Sequence, residues 1–105
     1  KIMIPDELIK ANELQKIGDY RLSRNLYQKF FDCNPLHPLR FKALFEVADN
    51  FFHAGCYQDA KNGYEFFLSY CAEQKSLSEE EAGWVNAYTK LSYSRIKTIT
   101  EKCLK

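Results

Sequence analysis

The sequence predicts an all-α fold in which two antiparallel helical hairpins are followed by one long helix. Apolar residues recur at helical spacing in five segments, and a pattern of small and aromatic residues occurs twice. We also expect the three prolines and four glycines to lie between helices, where short turns need them. The 105 residues suffice for a single domain with its own core.

The first two predicted helices form one hairpin. Pro5 with two acidic residues after it is typical of a helix start, and apolar residues then follow at Leu8, Ala11, Leu14 and Ile17. The pair Gly18-Asp19 ends this helix. The second helix is predicted from about Tyr20 to Cys33, with an apolar face of Leu22, Leu26, Phe30 and Phe31.

The next two helices form a second hairpin after a stop at 34–38, where two prolines lack the amide donors that a helix needs. The third helix is predicted from about Leu39 to His53, with its main stripe at Leu44, Val47, Ala48 and Phe51. A break at 54–56 follows. The fourth helix is predicted from about Tyr57 to Glu73, with a face of Ala60, Tyr64, Phe67, Leu68 and Cys71.

The last helix follows two overlapping capping boxes, in which Ser76 pairs with Glu79 and Ser78 with Glu81. We predict Ser78 as the N-cap. The apolar stripe is expected at Val85, Tyr88, Ser92, Ile96, Ile99 and Cys103, flanked by Trp84 and Leu91. The outer face is expected to carry Lys90, Arg95, Lys97, Glu101 and Lys102. Because the end of a helical repeat array needs a cover, we expect this helix to cap the second hairpin.

A shift of 37 residues places the first hairpin on the second, with Gly18 on Gly55. Glycine supplies the positive φ that a tight turn between helices needs. Small residues coincide where helices approach closely, and large ones where each hairpin meets its neighbour. The coinciding pairs are Ala11 with Ala48, Leu14 with Phe51, Tyr20 with Tyr57, Ser23 with Ala60, Tyr27 with Tyr64 and Phe30 with Phe67.

This pattern resembles the tetratricopeptide repeat. It is carried by Ala11, Gly18, Tyr20, Ser23, Tyr27 and Pro35, then by Ala48, Gly55, Tyr57, Ala60 and Tyr64. The longer period is similar to that of a variant found in bacterial envelope lipoproteins and coordinators that assemble outer-membrane machinery. The resemblance implies one right-handed helical repeat domain, with repeat 1 at about 6–35, repeat 2 at about 39–74 and a capping helix at about 78–104. The first unit departs from the family at Glu7 and Lys10, where Trp and Leu are frequent.

The resemblance also implies a concave groove, lined by the first helix of each hairpin, that holds a partner protein or peptide. By register, the groove residues are Leu8, Asn12, Gln15, Lys16, Lys42, Phe45, Asp49, Phe52 and His53. Phe45 and Phe52 are the expected anchors for an apolar partner, because aromatic side chains dominate interface hot spots. The alternative is that both pack against the last helix. No carboxylate clamp is expected, since Leu8 stands where a basic residue accompanies Asn12 in the family.

No metal, cofactor or catalytic centre is expected. Cys33, His37, His53 and Cys56 are suitable zinc ligands by type, but the third helix separates the two histidines by about 24 Å. The sequence has no Gly-rich phosphate loop, no Cys-x-x-Cys and no nucleophile elbow. We expect free buried thiols, although Cys33 and Cys71 end equivalent helices and a bridge between them is the alternative.

The remaining observations limit the class of function. With 15 basic and 14 acidic residues, the charge balance gives no reason to expect nucleic acid or an anionic membrane as a partner. Because the sequence begins at Lys1, we expect an excised domain or a mature form. Free thiols favour the cytoplasm, and the resemblance implies the bacterial envelope as the alternative. The main hypothesis is a non-catalytic adaptor; the alternatives are an oligomerisation module that pairs through its last helix, and a sensor of a small ligand.

Overall fold

A computed structural model of the protein describes residues 3–103 and contains five helices in that range. They are α1 (Asp6–Lys16), α2 (Tyr20–Cys33), α3 (Arg40–His53), α4 (Tyr57–Glu73) and α5 (Glu79–Cys103). No strand occurs among these described residues, so the predicted all-α class is confirmed. The helix bounds agree with the predicted ones to within about a residue, except that position 104, the expected end of the last helix, lies outside the described residues.

Side-chain caps fix the starts of two helices. At α5 the Glu81 amide donates to Ser78 Oγ at 3.1 Å, and the Ser78 amide donates to Glu81 Oε1 at 3.0 Å, so of the two predicted capping boxes the one formed by Ser78 and Glu81 is confirmed. At α2 the Leu22 amide donates to the Asp19 carboxylate at 3.3 Å. Each cap satisfies an amide that has no partner within its own helix.

The turns inside the two hairpins have the same backbone geometry. Gly18 has φ 87° and Gly55 has φ 81°. Each glycine amide donates to the carbonyl three residues earlier at 3.1 Å, and the next amide donates to the carbonyl five residues earlier at 2.9 Å. This is the hydrogen-bond pattern of a Schellman motif, which needs positive φ at the glycine. Both predicted turn glycines therefore end a helix and allow the chain to return along it.

Side-chain contacts give the directions of the helices around α3. Contacts between α3 and α4 run in opposite orders along the two helices, from Phe41 with Tyr70 to Phe52 with Tyr57. These helices are therefore antiparallel. Contacts between α3 and α5 run in the same order along the two helices. Arg40 pairs with Glu81 near the start of both helices, and Asp49 pairs with Arg95 further along both. α5 is therefore parallel to α3.

The central helix α3 is buried on more faces than its predicted stripe. Leu44 and Ala48 are buried as expected, but so are Phe41, Phe45 and the polar Asn50. The reason is that α2, α4 and α5 all pack against α3. Periodicity in a sequence does not show how many neighbours a helix has.

Several expectations about placement are wrong. Ile17 and Cys103, expected at apolar positions of their helices, are both exposed. Leu22, expected on the apolar face of α2, is exposed, whereas Tyr27 is fully buried.

Arg95, expected on the outer face of α5, instead forms an ion pair with α3. Gly63 and Gly83 lie inside α4 and α5 rather than between helices. Arg95 and Gly63 both lie against α3, and the pattern within their own helices does not reveal that contact.

Candidate functional site

An open groove of about 660 Å³ lies between α1 and α5, with residues at the start of α3 between them. On one side it is lined by residues of α1 and of the segment before it, which are Ile4, Leu8, Ile9, Asn12, Glu13 and Lys16. The start of α3 contributes Leu39 and Lys42, and α5 contributes Glu80, Trp84 and Tyr88. The groove therefore brings together three segments that are far apart in the sequence.

One end of the groove is apolar and rests on the core. Leu8 and Leu39 are almost fully buried, and Trp84 packs against the cluster that contains them. Ile4 and Ile9 at the rim are both exposed. Exposed aliphatic side chains beside a concave apolar surface are typical of a contact site.

The other end of the groove is polar. The Glu46 carboxylate accepts hydrogen bonds from Gln15 Nε2 and from Lys42 Nζ, both at 3.0 Å. Burial disfavours the charged form of Lys42, but the Glu46 carboxylate and Tyr88 outweigh it, so the pKa of Lys42 lies above its ordinary value. Lys42 Nζ is also 5.9 Å from the centre of the Tyr88 ring. Side chains of α1, α3 and α5 together therefore hold a charged amine at this end.

Tyr27 lies close to this polar end, and its hydroxyl is buried without a hydrogen-bond partner among the described residues. Burial, and next the Glu46 carboxylate, raise the pKa of Tyr27 to about 12. The hydroxyl is therefore protonated at neutral pH.

Five of the nine predicted groove residues belong to the groove or support it. Those that line it are Leu8, Asn12, Lys16 and Lys42. Gln15 supports it through its hydrogen bond to Glu46. The other four predicted residues do not line the groove, and each has a different environment.

Phe45 lies in the core, contrary to the expectation that it anchors a partner. Its side chain is 1% exposed, and its ring stacks on Tyr88 with 4.7 Å between centroids. The alternative, packing against the last helix, is therefore the observed arrangement. The reason is that α5 covers the face of α3 that corresponds by register to the groove face of α1.

Asp49 is a buried charge rather than a groove residue. Its carboxylate accepts hydrogen bonds from the Tyr64 hydroxyl and from Arg95 Nε, the latter at 2.9 Å, and lies 3.0 Å from His53 Nε2. Burial and the adjacent carboxylate place the pKa of Tyr64 above its ordinary value. This network joins α3, α4 and α5.

Phe52 and His53 lie at the far end of α3. The Phe52 ring packs near Tyr57, with 5.7 Å between centroids, and beneath the Arg95 guanidinium at 4.8 Å. His53 lies beside Tyr20, with 6.0 Å between ring centroids. Packing against the last helix, the alternative for Phe52, is again the observed arrangement.

The wall formed by Glu80, Trp84 and Tyr88 was not predicted from the sequence. We expected the last helix to cover the second hairpin only, whereas its first half runs parallel to α3 and stands opposite α1. Trp84 is the signal that could have indicated this position of α5 opposite α1, because it is a large side chain that lies off the main apolar stripe of its helix.

The suggested zinc ligands remain apart, and the described residues contain no group of three His, Cys, Asp or Glu side chains able to hold a metal. All four cysteines are unpaired. The expectation of buried thiols holds only for Cys71, whereas Cys33, Cys56 and Cys103 are exposed. Burial raises the pKa of Cys71 to about 11, so this thiol stays protonated at neutral pH.

No protein-family model, curated protein or solved structure matches the chain. None of the helices within residues 3–103 has both the length and the apolar character needed to cross a membrane.

Proposed function

We propose that this chain is a non-catalytic tetratricopeptide-like domain that holds a segment of another protein in the groove between α1 and α5. The groove is the observation that supports the proposal. Its apolar end lies beside two exposed isoleucines, and its polar end holds the amine of Lys42. A peptide offers apolar side chains to the first end and hydrogen-bond acceptors to the second. Interfaces combine such an apolar centre with polar groups at the rim.

The internal repeat supports the tetratricopeptide-like arrangement. The two glycine turns have matching φ angles and hydrogen bonds. Ala11 and Ala48 are both fully buried, as are Tyr27 and Tyr64 at the next matching pair. In this arrangement α1, α3 and α5 are the inner helices of a right-handed stack, and α2 and α4 are the outer ones. The last helix then takes the place of a third inner helix, which is why it forms a groove wall.

The lining favours a peptide with a bulky apolar side chain for the end formed by Leu8, Leu39 and Trp84. The Asn12, Lys16 and Lys42 side chains offer hydrogen-bond donors to the peptide backbone or to its polar side chains. Truncation of a buried apolar anchor on such a peptide removes most of its affinity, because few residues dominate an interface.

The test uses Trp84, the single tryptophan of the chain, as a reporter within the groove. Peptides are selected from a random library against the wild type, and their binding is measured by Trp84 fluorescence. Ile9→Glu places a charge at the exposed apolar rim, so affinity is expected to fall at least about tenfold. The matched control is Phe66→Glu on α4, where an exposed aromatic outside the groove is replaced. Peptides that bind the wild type and both variants equally well would contradict the proposal.

The sensor hypothesis makes a different prediction for the same groove. A volume of about 660 Å³ lies in the range of small-molecule sites. If the groove binds a small apolar ligand, no selected peptide should lose affinity on Ile9→Glu. A small apolar compound should instead raise the melting temperature of the protein and change Trp84 fluorescence.

A further inference from the structure

Glu80 and Trp84 lie one helical turn apart on α5, and both side chains line the groove. Residues that are four apart share one face of a helix. The Trp84 ring stacks on the ring of Tyr88, one turn further along, with 6.0 Å between centroids and 12° between planes. Because Glu80 precedes Trp84 and Tyr88 follows it, the indole face that Tyr88 does not cover lies on the side of the Glu80 turn.

The groove already binds one positive charge of the chain itself. Lys42 Nζ donates to the Glu46 carboxylate at 3.0 Å and lies 5.9 Å from the centre of the Tyr88 ring. A carboxylate and an aromatic ring therefore hold this amine together. Glu80 and Trp84 offer the same two groups one turn earlier on α5. Among residues 3–103, no ion pair includes Glu80 and no cation lies over the Trp84 ring.

The free charges that line the groove favour a basic occupant at this position. The charge of Lys42 is offset by the Glu46 carboxylate. Of the other charged lining residues, Glu13 and Glu80 are acidic and Lys16 is basic, and none of the three belongs to an ion pair within residues 3–103. Two free carboxylates thus stand against one free amine, so a basic side chain complements the groove better than an acidic one.

We propose that the segment bound in the groove carries an arginine, whose guanidinium stacks on Trp84 and pairs with the Glu80 carboxylate. This arginine belongs to the peptide whose binding is the proposed function of the groove, so the assignment depends on that function. Arginine fits better than lysine, because a planar guanidinium lies flat on an indole while it donates two hydrogen bonds to a carboxylate. A neighbouring apolar residue of the segment then reaches Leu8 and Leu39.

Glu80 also lies in the first turn of α5, where a carboxylate stabilises the helix whether or not a peptide is bound. Glu79 is the matched control, because it is exposed in the same turn but does not line the groove. A role in helix stability alone would make Glu80→Gln and Glu79→Gln equivalent. Peptide affinity separates the two variants, since only Glu80 lines the groove.

The test selects peptides from a random library against the wild type, Glu80→Gln and Glu79→Gln, and measures their affinities by calorimetry. Peptides selected by the wild type and by Glu79→Gln are expected to share an arginine beside a bulky apolar residue. Peptides selected by Glu80→Gln are expected to lack this preference. Replacement of the arginine by citrulline keeps the shape and removes the charge, so the Kd for the wild type is expected to rise at least about tenfold. The same replacement is expected to change the Kd for Glu80→Gln by less than about twofold, because the partner charge is already gone.

Trp84→Phe keeps a ring but weakens the cation–π contact, so it is expected to cost the arginine peptide more affinity than the citrulline peptide. Circular dichroism checks that each variant is folded. Peptides that lose affinity on Ile9→Glu but contain no arginine, or that respond equally to Glu80→Gln and Glu79→Gln, would overturn the arginine assignment and leave peptide binding intact. If no selected peptide senses Ile9→Glu, the proposed function fails and the arginine assignment fails with it.

Discussion

Asp49 on α3 and Arg95 on α5 form an ion pair that joins the central helix to the last one. Arg95 Nε donates to the Asp49 carboxylate at 2.9 Å, and the carboxylate side chain is only 7% exposed. The same guanidinium lies over the Phe52 ring at 4.8 Å. A buried carboxylate without a cation is unfavourable, so the position of α5 is coupled to the charge of Asp49.

Arg95→Met is expected to lower the free energy of unfolding by about 2 kcal/mol, because it leaves Asp49 buried with one fewer charged donor. The measurement is urea unfolding at neutral pH. Lys97→Met on the same helix is the control, since this exposed lysine belongs to no ion pair among the described residues. Equal stability of the two variants would show that the Asp49 pair contributes nothing beyond a surface charge.

Gly55→Ala is expected to lower the free energy of unfolding by about 1 kcal/mol, because φ of 81° disfavours any side chain. No atom lies within 4 Å of a Cβ built at this position, so the effect isolates the backbone. Gly83→Ala has the same free space but lies inside α5, and is expected to stabilise by about 0.5–1 kcal/mol. Urea unfolding of both variants gives the comparison. Opposite signs are expected, and two stabilising substitutions would contradict the assigned turn.

Local signals determined most of what was predictable from the sequence. The turn at Gly55 and the cap at Ser78 depend on neighbouring residues, so both were predicted correctly. Gly63 shows why other features were not predictable. A Cβ there would lie 2.8 Å from the Ala48 Cβ, so this glycine serves the close approach of α3 and α4 and no local turn. Phe45 likewise depends on which helix covers α3, which periodicity along α3 does not reveal.

Glu81 is expected to make stability depend on pH in the acidic range. Hydrogen bonds from the Ser78 amide and from Arg40 favour the carboxylate, so the pKa of Glu81 lies below its ordinary value of 4.5. A carboxyl group whose pKa is lower in the folded state stabilises the folded protein at any pH above its unfolded pKa. This contribution is lost as the pH falls through the pKa of the folded state. Stability from Glu81 is therefore present at neutral pH and absent in acid.

The measurement compares the wild type with Glu81→Gln, since glutamine retains the cap but not the charge that pairs with Arg40. The wild type is expected to be more stable by about 1–2 kcal/mol at neutral pH, and the difference is expected to close as the pH falls below the ordinary pKa of glutamate. Glu79→Gln in the same helical turn is the control for the helix dipole. A difference between the wild type and Glu81→Gln that stays constant with pH would exclude the Arg40 pair as its cause.

Tyr27 and Tyr64 coincide under the shift of 37 residues and are both fully buried, yet their hydroxyls differ. The Tyr64 hydroxyl donates to Asp49, whereas the Tyr27 hydroxyl has no partner among the described residues. Tyr64→Phe removes a hydrogen bond to a charged group and is expected to destabilise by about 2 kcal/mol. Tyr27→Phe removes an unpaired buried polar group and is expected to be neutral or to stabilise by up to about 1 kcal/mol. Thermal and urea unfolding of the two variants test a single chemical change in two environments. If Tyr27→Phe destabilises as much as Tyr64→Phe, the Tyr27 hydroxyl has a bound partner at the polar end of the groove.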